Sequence, residues 1–180
     1  MDLKLKTISK DGIAEALSKV ELYRYLNEPE EAESICHDVL AADPDNQLAL
    51  RMLALTITDQ FEGQSSDRYA EAEKIFQSLA DHYERLYYSG LLQERRAKAQ
   101  IRAGRPVHML IGSFQEAMRC FEEAEKIRPP HNDDAVLRWN RCVRLLEKIE
   151  HVEGESEETL LEDHDIAPVE IMRRPGRSGR

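Results

Sequence analysis

The stretch EPEEAESICHDVLAADPDN, residues 28–46, contains a spacing of helix-packing residues that occurs twice more in the chain. Its apolar positions are Ala32, Cys36 and Val39, and a proline follows five residues later. Separations of three and four residues place such side chains on one face of an α-helix. The same offsets recur in two later stretches, at Tyr69, Ala72, Phe76 and Leu79 and again at Phe114, Ala117, Phe121 and Ala124. The chain is therefore predicted to contain three similar helices, one in each of these stretches.

A second amphipathic segment precedes each of these stretches, so the repeating unit is predicted to be a pair of helices. The three preceding segments are residues 12–27, 48–61 and 83–104. In the third of them, Gly90 is predicted to be the small residue at which two helices cross closely. The apolar faces of the first two segments are predicted to be Ile13, Ala16, Leu17, Val20 and Tyr23, and Leu50, Leu53, Ala54 and Ile57.

This pattern of small and large residues resembles the tetratricopeptide repeat. The resemblance implies an all-α fold, an α-solenoid of three TPR-like helical hairpins plus a C-terminal capping helix. The signature alanines are Ala32, Ala72 and Ala117, which lie 40 and 45 residues apart, whereas the family period is about 34 residues. Insertions are therefore expected near residues 61–67, and in a longer helix followed by an apolar loop at 104–112.

The capping helix is expected at residues 131–150, which form a further amphipathic segment. Its apolar face is predicted to consist of Val136, Trp139, Cys142, Val143, Leu146 and Ile149. Its polar outer face is predicted to consist of Arg138, Arg141, Arg144, Glu147 and Lys148.

Three regions are predicted along the chain: an N-terminal extension at 1–9, a tetratricopeptide repeat domain with its capping helix at 10–150, and a tail at 151–180. The tail carries eight acidic residues and no lysine or arginine up to residue 172, and four arginines follow. Such a composition favours disorder because little apolar surface is present to bury. Its apolar island, IAPVEIM at 166–172, either docks in a groove or stays unbound.

Charge and hydropathy exclude several classes of function. The formal net charge of -10 argues against binding to nucleic acid or to an anionic membrane surface, and it favours a basic partner. No stretch approaches the roughly 18 apolar residues of a membrane span, and the first residues lack the apolar core of a signal peptide. A cytoplasmic location is expected.

Residues that could act in catalysis or bind a metal are scattered along the sequence. The three cysteines lie within helical apolar patterns without a CxxC spacing, and the six histidines are spread over different segments. Motifs for nucleotide binding, metal binding and nucleophilic catalysis are absent from the sequence. We therefore expect no enzymatic activity, no cofactor and no metal site.

The resemblance places a binding groove along the first helices of the repeats. Mixed apolar and charged side chains there suit a peptide or a partner helix. Co-chaperone members of the family hold a carboxylate with a lysine and two asparagines, but the corresponding positions here are Leu17, Glu21 and Met52. A chaperone-tail adaptor is thus not expected. The predicted partner-binding residues are Leu17, Glu21, Arg24, Arg51, Leu55, Thr58, Tyr87, Leu91, Glu94 and Arg95.

The predicted function is protein-protein interaction, as an adaptor or scaffold that binds a peptide or helix of another protein. The alternative is a small acidic chaperone, similar to secretion chaperones, that shields an apolar client segment. The sequence also leaves open a homodimer in which two chains associate through the unmatched ends of the solenoid. The apolar loop at 104–112 either folds back on the third hairpin or forms a docking surface.

Overall fold

The computed structural model describes residues 3–62 and 66–151, and this part of the chain is all-α. Short 3-10 helices at Lys10–Gly12 and Val107–Leu110 precede the first and sixth α-helices. No strand occurs in the described ranges, which confirms the predicted all-α class. Apart from His151, the tail predicted to be disordered lies outside the described residues. The α-helices are α1 (Ile13–Tyr25), α2 (Pro29–Ala42), α3 (Gln47–Asp59), α4 (Ser66–Gln77), α5 (His82–Arg102), α6 (Ile111–Lys126) and α7 (Asp134–His151).

Local sequence signals set several helix ends. The side chains of Asn46 and Asp81 precede α3 and α5, and each accepts a hydrogen bond from a backbone N–H of the first turn. Pro29 occupies the first turn of α2, where its missing N–H costs nothing. Asn27 adopts a φ of 59°, in the left-handed region that asparagine tolerates, and so permits the tight turn between α1 and α2.

Each helix packs against the next along the chain, and a second set of contacts joins α1 to α3, α3 to α5, and α5 to α7. The odd-numbered helices therefore lie side by side in chain order. We refer to them below as the odd-helix row. This row brings together side chains that are more than thirty residues apart in sequence, among them the pair Arg24 and Asp59.

The repeated sequence pattern marks the buried faces of α2, α4 and α6. Its alanine, cysteine, valine, leucine and phenylalanine positions are all fully or almost fully buried. They are divided among adjoining hydrophobic clusters, of which one spans α1 to α5 and another joins α5, α6 and α7. The buried members of the pattern are Ala32, Cys36, Val39, Ala72, Phe76, Leu79, Phe114, Ala117, Phe121 and Ala124.

Gly90 lies where α5 crosses α6, as its position in the pattern predicts. A Cβ atom at this residue would lie 2.7 Å from Cε1 of Phe121 and 3.0 Å from the carbonyl oxygen of Ala117. These distances are well inside van der Waals contact, so only glycine allows the two helices to approach so closely. The apolar loop before α6 also packs inward, because Val107 and Leu110 are buried in the cluster of α5, α6 and α7.

The predicted apolar face of α7 is correct only in part. Its Cys142 is buried, but Trp139 of the same face is 37% exposed, and the structure also buries Ala135 and Leu145, which lie outside that face. Arg138, assigned to the polar outer face, instead turns inward toward α5. Apolar residues cover more than one face of α7, so periodicity alone permits either rotation, and attraction between Arg138 and a carboxylate on α5 favours the observed one.

Candidate interaction groove

A groove of about 1010 Å³ opens along the odd-helix row. Helices α1, α3, α5 and α7 all contribute side chains to its lining, together with the turns after α1 and α3. Because a row of adjacent helices forms its wall, the groove is long and open, unlike an enclosed pocket for a small molecule. We call it the odd-helix groove.

Six of the ten residues predicted to bind a partner line this groove. They come from three helices, which the fold brings together at one surface. Their placement agrees with the prediction, and their role in binding stays a prediction. These six are Glu21, Arg24, Arg51, Leu55, Thr58 and Arg95.

The other four predicted residues do not line the groove. Leu17 is buried in a small cluster with Val39 and Ala49, beneath the surface of α1. Tyr87 and Leu91 pack into the cluster of α5, α6 and α7, where the Tyr87 ring lies 5.9 Å from that of Phe121.

Glu94, the fourth, is only 1% exposed. Three of these four residues, Tyr87, Leu91 and Glu94, lie on α5, which is 21 residues long and packs against helices on several sides, so their places in the repeat do not separate core from groove. Its groove-facing side chains are Tyr88, Arg95, Lys98 and Arg102, at spacings of seven, three and four residues. A row of aromatic and basic residues at helical spacing was the signal in the sequence that could have found this face.

The carboxylate of Asp59 lies between two arginines from neighbouring helices. Nε of Arg24 donates to Oδ2 of Asp59 at 2.7 Å, and Nη1 of Arg95 donates to Oδ1. Nη1 of Arg95 also donates to Oγ1 of Thr58 at 2.7 Å. One negative charge thus holds two positive charges, and it ties α1, α3 and α5 together beside the groove.

A second carboxylate, that of Glu94, is also shared by two cations, one on α5 and one on α7. Nζ of Lys98 lies 2.8 Å from Oε1 of Glu94, and Nη1 of Arg138 lies 3.6 Å from the same oxygen. Neither carboxylate oxygen accepts a hydrogen bond of regular geometry within the described residues, so the interaction is mainly one of charge. It connects α7 to α5, and both cations face the groove.

The lining is positively charged although the whole chain is acidic. Its acidic members are Glu21 and Asp59. Two carboxylates outside the lining pair with it: Glu94, and Glu84, which lies 2.5 Å from Arg51. Apart from Arg102, which has an interaction of its own, the described residues thus place five positive charges against four negative ones at the groove. The positive members are Arg24, Arg51, Arg95, Lys98, Arg102 and Arg138. This sign is opposite to the net charge of -10, which had favoured a basic partner.

Apolar and aromatic surface lies among these charges. Tyr25 stands at the edge of the groove with 71% of its surface exposed, while Leu55 and Tyr88 form part of the wall. Burial raises the pKa of the Tyr88 hydroxyl to about 12, so this residue stays neutral at physiological pH. Tyrosine and arginine together are the side chains that most often dominate binding energy at protein interfaces.

The cysteines show no sign of activation. Burial raises the pKa of the Cys36 and Cys142 thiols to about 12, and burial is also the main reason that the pKa of Cys120 is raised. A neutral buried thiol is a poor nucleophile and a poor metal ligand. Among the residues the structure describes, histidine, cysteine and acidic side chains form no group of three or more that could hold a metal ion.

Within residues 3–62 and 66–151, every helix is too short or too polar to cross a bilayer.

Comparisons of the chain with protein-family models, with curated proteins and with solved structures give no match.

Proposed function

We propose that this chain is a tetratricopeptide-like α-solenoid whose function is to hold another protein, as an adaptor or scaffold, by binding a peptide or helix of that partner in the odd-helix groove. The fold part of the proposal is supported by the side-by-side odd-numbered helices and by the burial of the repeated pattern. The close crossing at Gly90 supports it further. The observation that carries the functional part is the groove itself.

The shape and lining of the groove favour a polypeptide as its ligand. Its length over four helices suits an extended segment or a helix laid across the row. Exposed tyrosine and partly buried arginines give both contact area and directional hydrogen bonds. A catalytic role is not proposed, because no nucleophile, acid-base pair or ligand set among the described residues converges on the groove.

A chaperone that shields an apolar client segment is the second candidate. It is favoured by Leu22, Tyr25 and Leu26, which are all more than half exposed and lie within one turn at the end of α1. Exposed apolar side chains grouped in this way suit an apolar ligand. The adaptor is the better supported of the two because charged side chains outnumber apolar ones along the wall of the groove.

Capture of partners by the immobilised full chain from native lysate tests the proposal. Tyr25→Ala and Arg51→Glu should each lower the yield of captured proteins at least about tenfold, because each removes contacts at the groove. Leu137→Ala is the matched control, since Leu137 is 62% exposed on α7 and does not line the groove. Circular dichroism verifies that all three variants keep their helix content.

The proposal is wrong if wild type captures partners and both groove variants recover the same proteins in the same yield. A loss of capture with Leu137→Ala that equals the loss with Tyr25→Ala would also contradict it. In that case the contact surface would lie elsewhere on the molecule.

A further inference from the structure

We infer that the odd-helix groove selects an acidic segment of the partner, one in which several aspartate or glutamate residues accompany an apolar or aromatic side chain. This inference rests on the proposed function and names the chemistry of its ligand. Even without Arg102, the other five cationic side chains of the lining outnumber the four carboxylates that face or pair with them among the described residues. An acidic ligand would complete this charge balance.

The arrangement of the arginines suits carboxylate ligands. Arg24 and Arg95 pair with Asp59 through Nε and Nη1, respectively, which leaves the other guanidinium nitrogens outside this pair. A guanidinium group has five N–H donors in a planar fork that matches a carboxylate. Two such groups sharing one carboxylate are therefore arranged to accept a second carboxylate from a ligand.

The charge of the rest of the chain sharpens this selectivity. The chain as a whole carries a net charge of -10, so acidic peptides are repelled from most of its surface. At physiological salt, such repulsion is screened beyond about 8 Å, and within the groove the local cations dominate. An acidic segment should thus bind in the groove and nowhere else, while a basic segment should bind weakly at many places.

Nucleic acid is also an anion, but it fits the molecule less well. A nucleic acid strand carries charge along its whole length and would continue past the groove onto the acidic surface, where its phosphates are repelled. The apolar wall residues Leu55 and Tyr88 and the exposed Tyr25 favour a ligand that also carries apolar side chains. A protein segment meets both conditions.

Selection from a random library of displayed twelve-residue peptides tests the inference without a known partner. The immobilised full chain should enrich peptides whose mean net charge is at least about two units below that of the input library. The double variant Arg51→Gln/Arg95→Gln should lose at least half of this shift. The matched control Arg141→Gln/Arg144→Gln removes the same charge from α7 outside the groove and should leave the shift unchanged.

Fluorescence anisotropy on the most enriched acidic peptide gives a second measurement. Replacing its acidic residues by their amides should weaken binding at least about tenfold. Raising the salt concentration from about 0.05 M to about 0.2 M should also weaken binding. A labelled twelve-nucleotide single strand and a synthetic peptide of residues 153–170 of this chain should both bind more weakly than the selected peptide.

Each contrary result has a defined meaning. Enrichment of neutral or basic peptides in the groove would overturn the acidic inference and leave the proposed function standing. Equal acidic enrichment by the groove variant would overturn it too, as would tighter binding of the nucleic acid or of the 153–170 peptide. No enrichment by the wild-type chain would count against the proposed function, and the inference would fall with it.

Discussion

Replacing Gly90 by alanine should destabilise the protein although alanine is the better helix former. The new Cβ would lie 2.7 Å and 2.9 Å from two ring carbons of Phe121, and 3.0 Å from the carbonyl oxygen of Ala117. Optimal carbon contacts are about 3.5–4.0 Å, so α5 and α6 would have to separate by about 1 Å. Phe121 is fully buried, and its ring therefore has little room to move away.

The expected magnitude is the difference of two effects. Overpacking of this kind costs about 1–3 kcal/mol, and the severity of the contacts places Gly90→Ala in the upper half of that range. The gain in helix propensity offsets about 1 kcal/mol. The net loss in the free energy of unfolding should be about 1–2 kcal/mol, with a fall in melting temperature of about 2–8 °C.

Urea denaturation followed by far-ultraviolet circular dichroism measures this change. Gly112→Ala is the matched control, because Gly112 also lies in a helix but a Cβ there meets no atom within 4 Å. That variant should be neutral or more stable by up to about 1 kcal/mol. In a double-mutant cycle, the loss in the free energy of unfolding caused by Gly90→Ala should be smaller by at least about 1 kcal/mol in the Phe121→Leu background than in wild type.

The reasoning would be refuted if Gly90→Ala unfolded at the same urea concentration as wild type or at a higher one. It would also be refuted if the cycle with Phe121 showed no coupling. Either result would mean that α5 and α6 do not cross as closely as the structure indicates.

Three further predictions concern charge and burial. Asp59→Asn should lower the free energy of unfolding by about 1 kcal/mol in urea denaturation, yet tighten the binding of acidic peptides in anisotropy assays. Burial alone would raise the pKa of Glu33, but hydrogen bonds from Arg68 and Gln60 lower it below its usual value. The stability that Glu33 contributes should therefore be present above about pH 4.5 and lost as the pH falls through its folded pKa, and Glu33→Gln should flatten this dependence in acid titrations. At pH 8, alkylation of Cys36 and Cys142 should be slow in native protein and fast in urea, as peptide mass analysis would show.

The repeated spacing allowed the buried faces of α2, α4 and α6 to be predicted from sequence, because each of these helices has one narrow apolar stripe. Helices α5 and α7 were harder. Helix α5 packs against neighbours on several sides, so residues on more than one face are buried, among them Leu91 and Glu94. A pattern based on one apolar face cannot separate the groove from the core on such a helix.

The charge of the groove was beyond sequence reasoning for a different reason. Net charge describes a whole chain, whereas a ligand meets only the side chains within about a Debye length of its own charges. Helix α5 alone carries a local set of basic residues, Arg95, Lys98 and Arg102. Arg24 and Arg138 lie on other helices and come from distant parts of the sequence, so no local pattern indicates that they join this set. Only their placement along the odd-helix row turns an acidic chain into one with a cationic groove.

The same ion pairs that join the odd-helix row also create this charge. Arg24 with Asp59 joins α1 to α3, Arg51 with Glu84 joins α3 to α5, and Arg138 approaches Glu94 between α5 and α7.

If each cation paired with a carboxylate of its own, such a surface would be neutral. Because Asp59 and Glu94 each serve two cations, the contacts between helices consume fewer negative charges than positive ones. The packing of the row therefore leaves positive charge at the groove, and a change that balanced these pairs one to one would keep the helices together while removing the basis for selecting an acidic ligand.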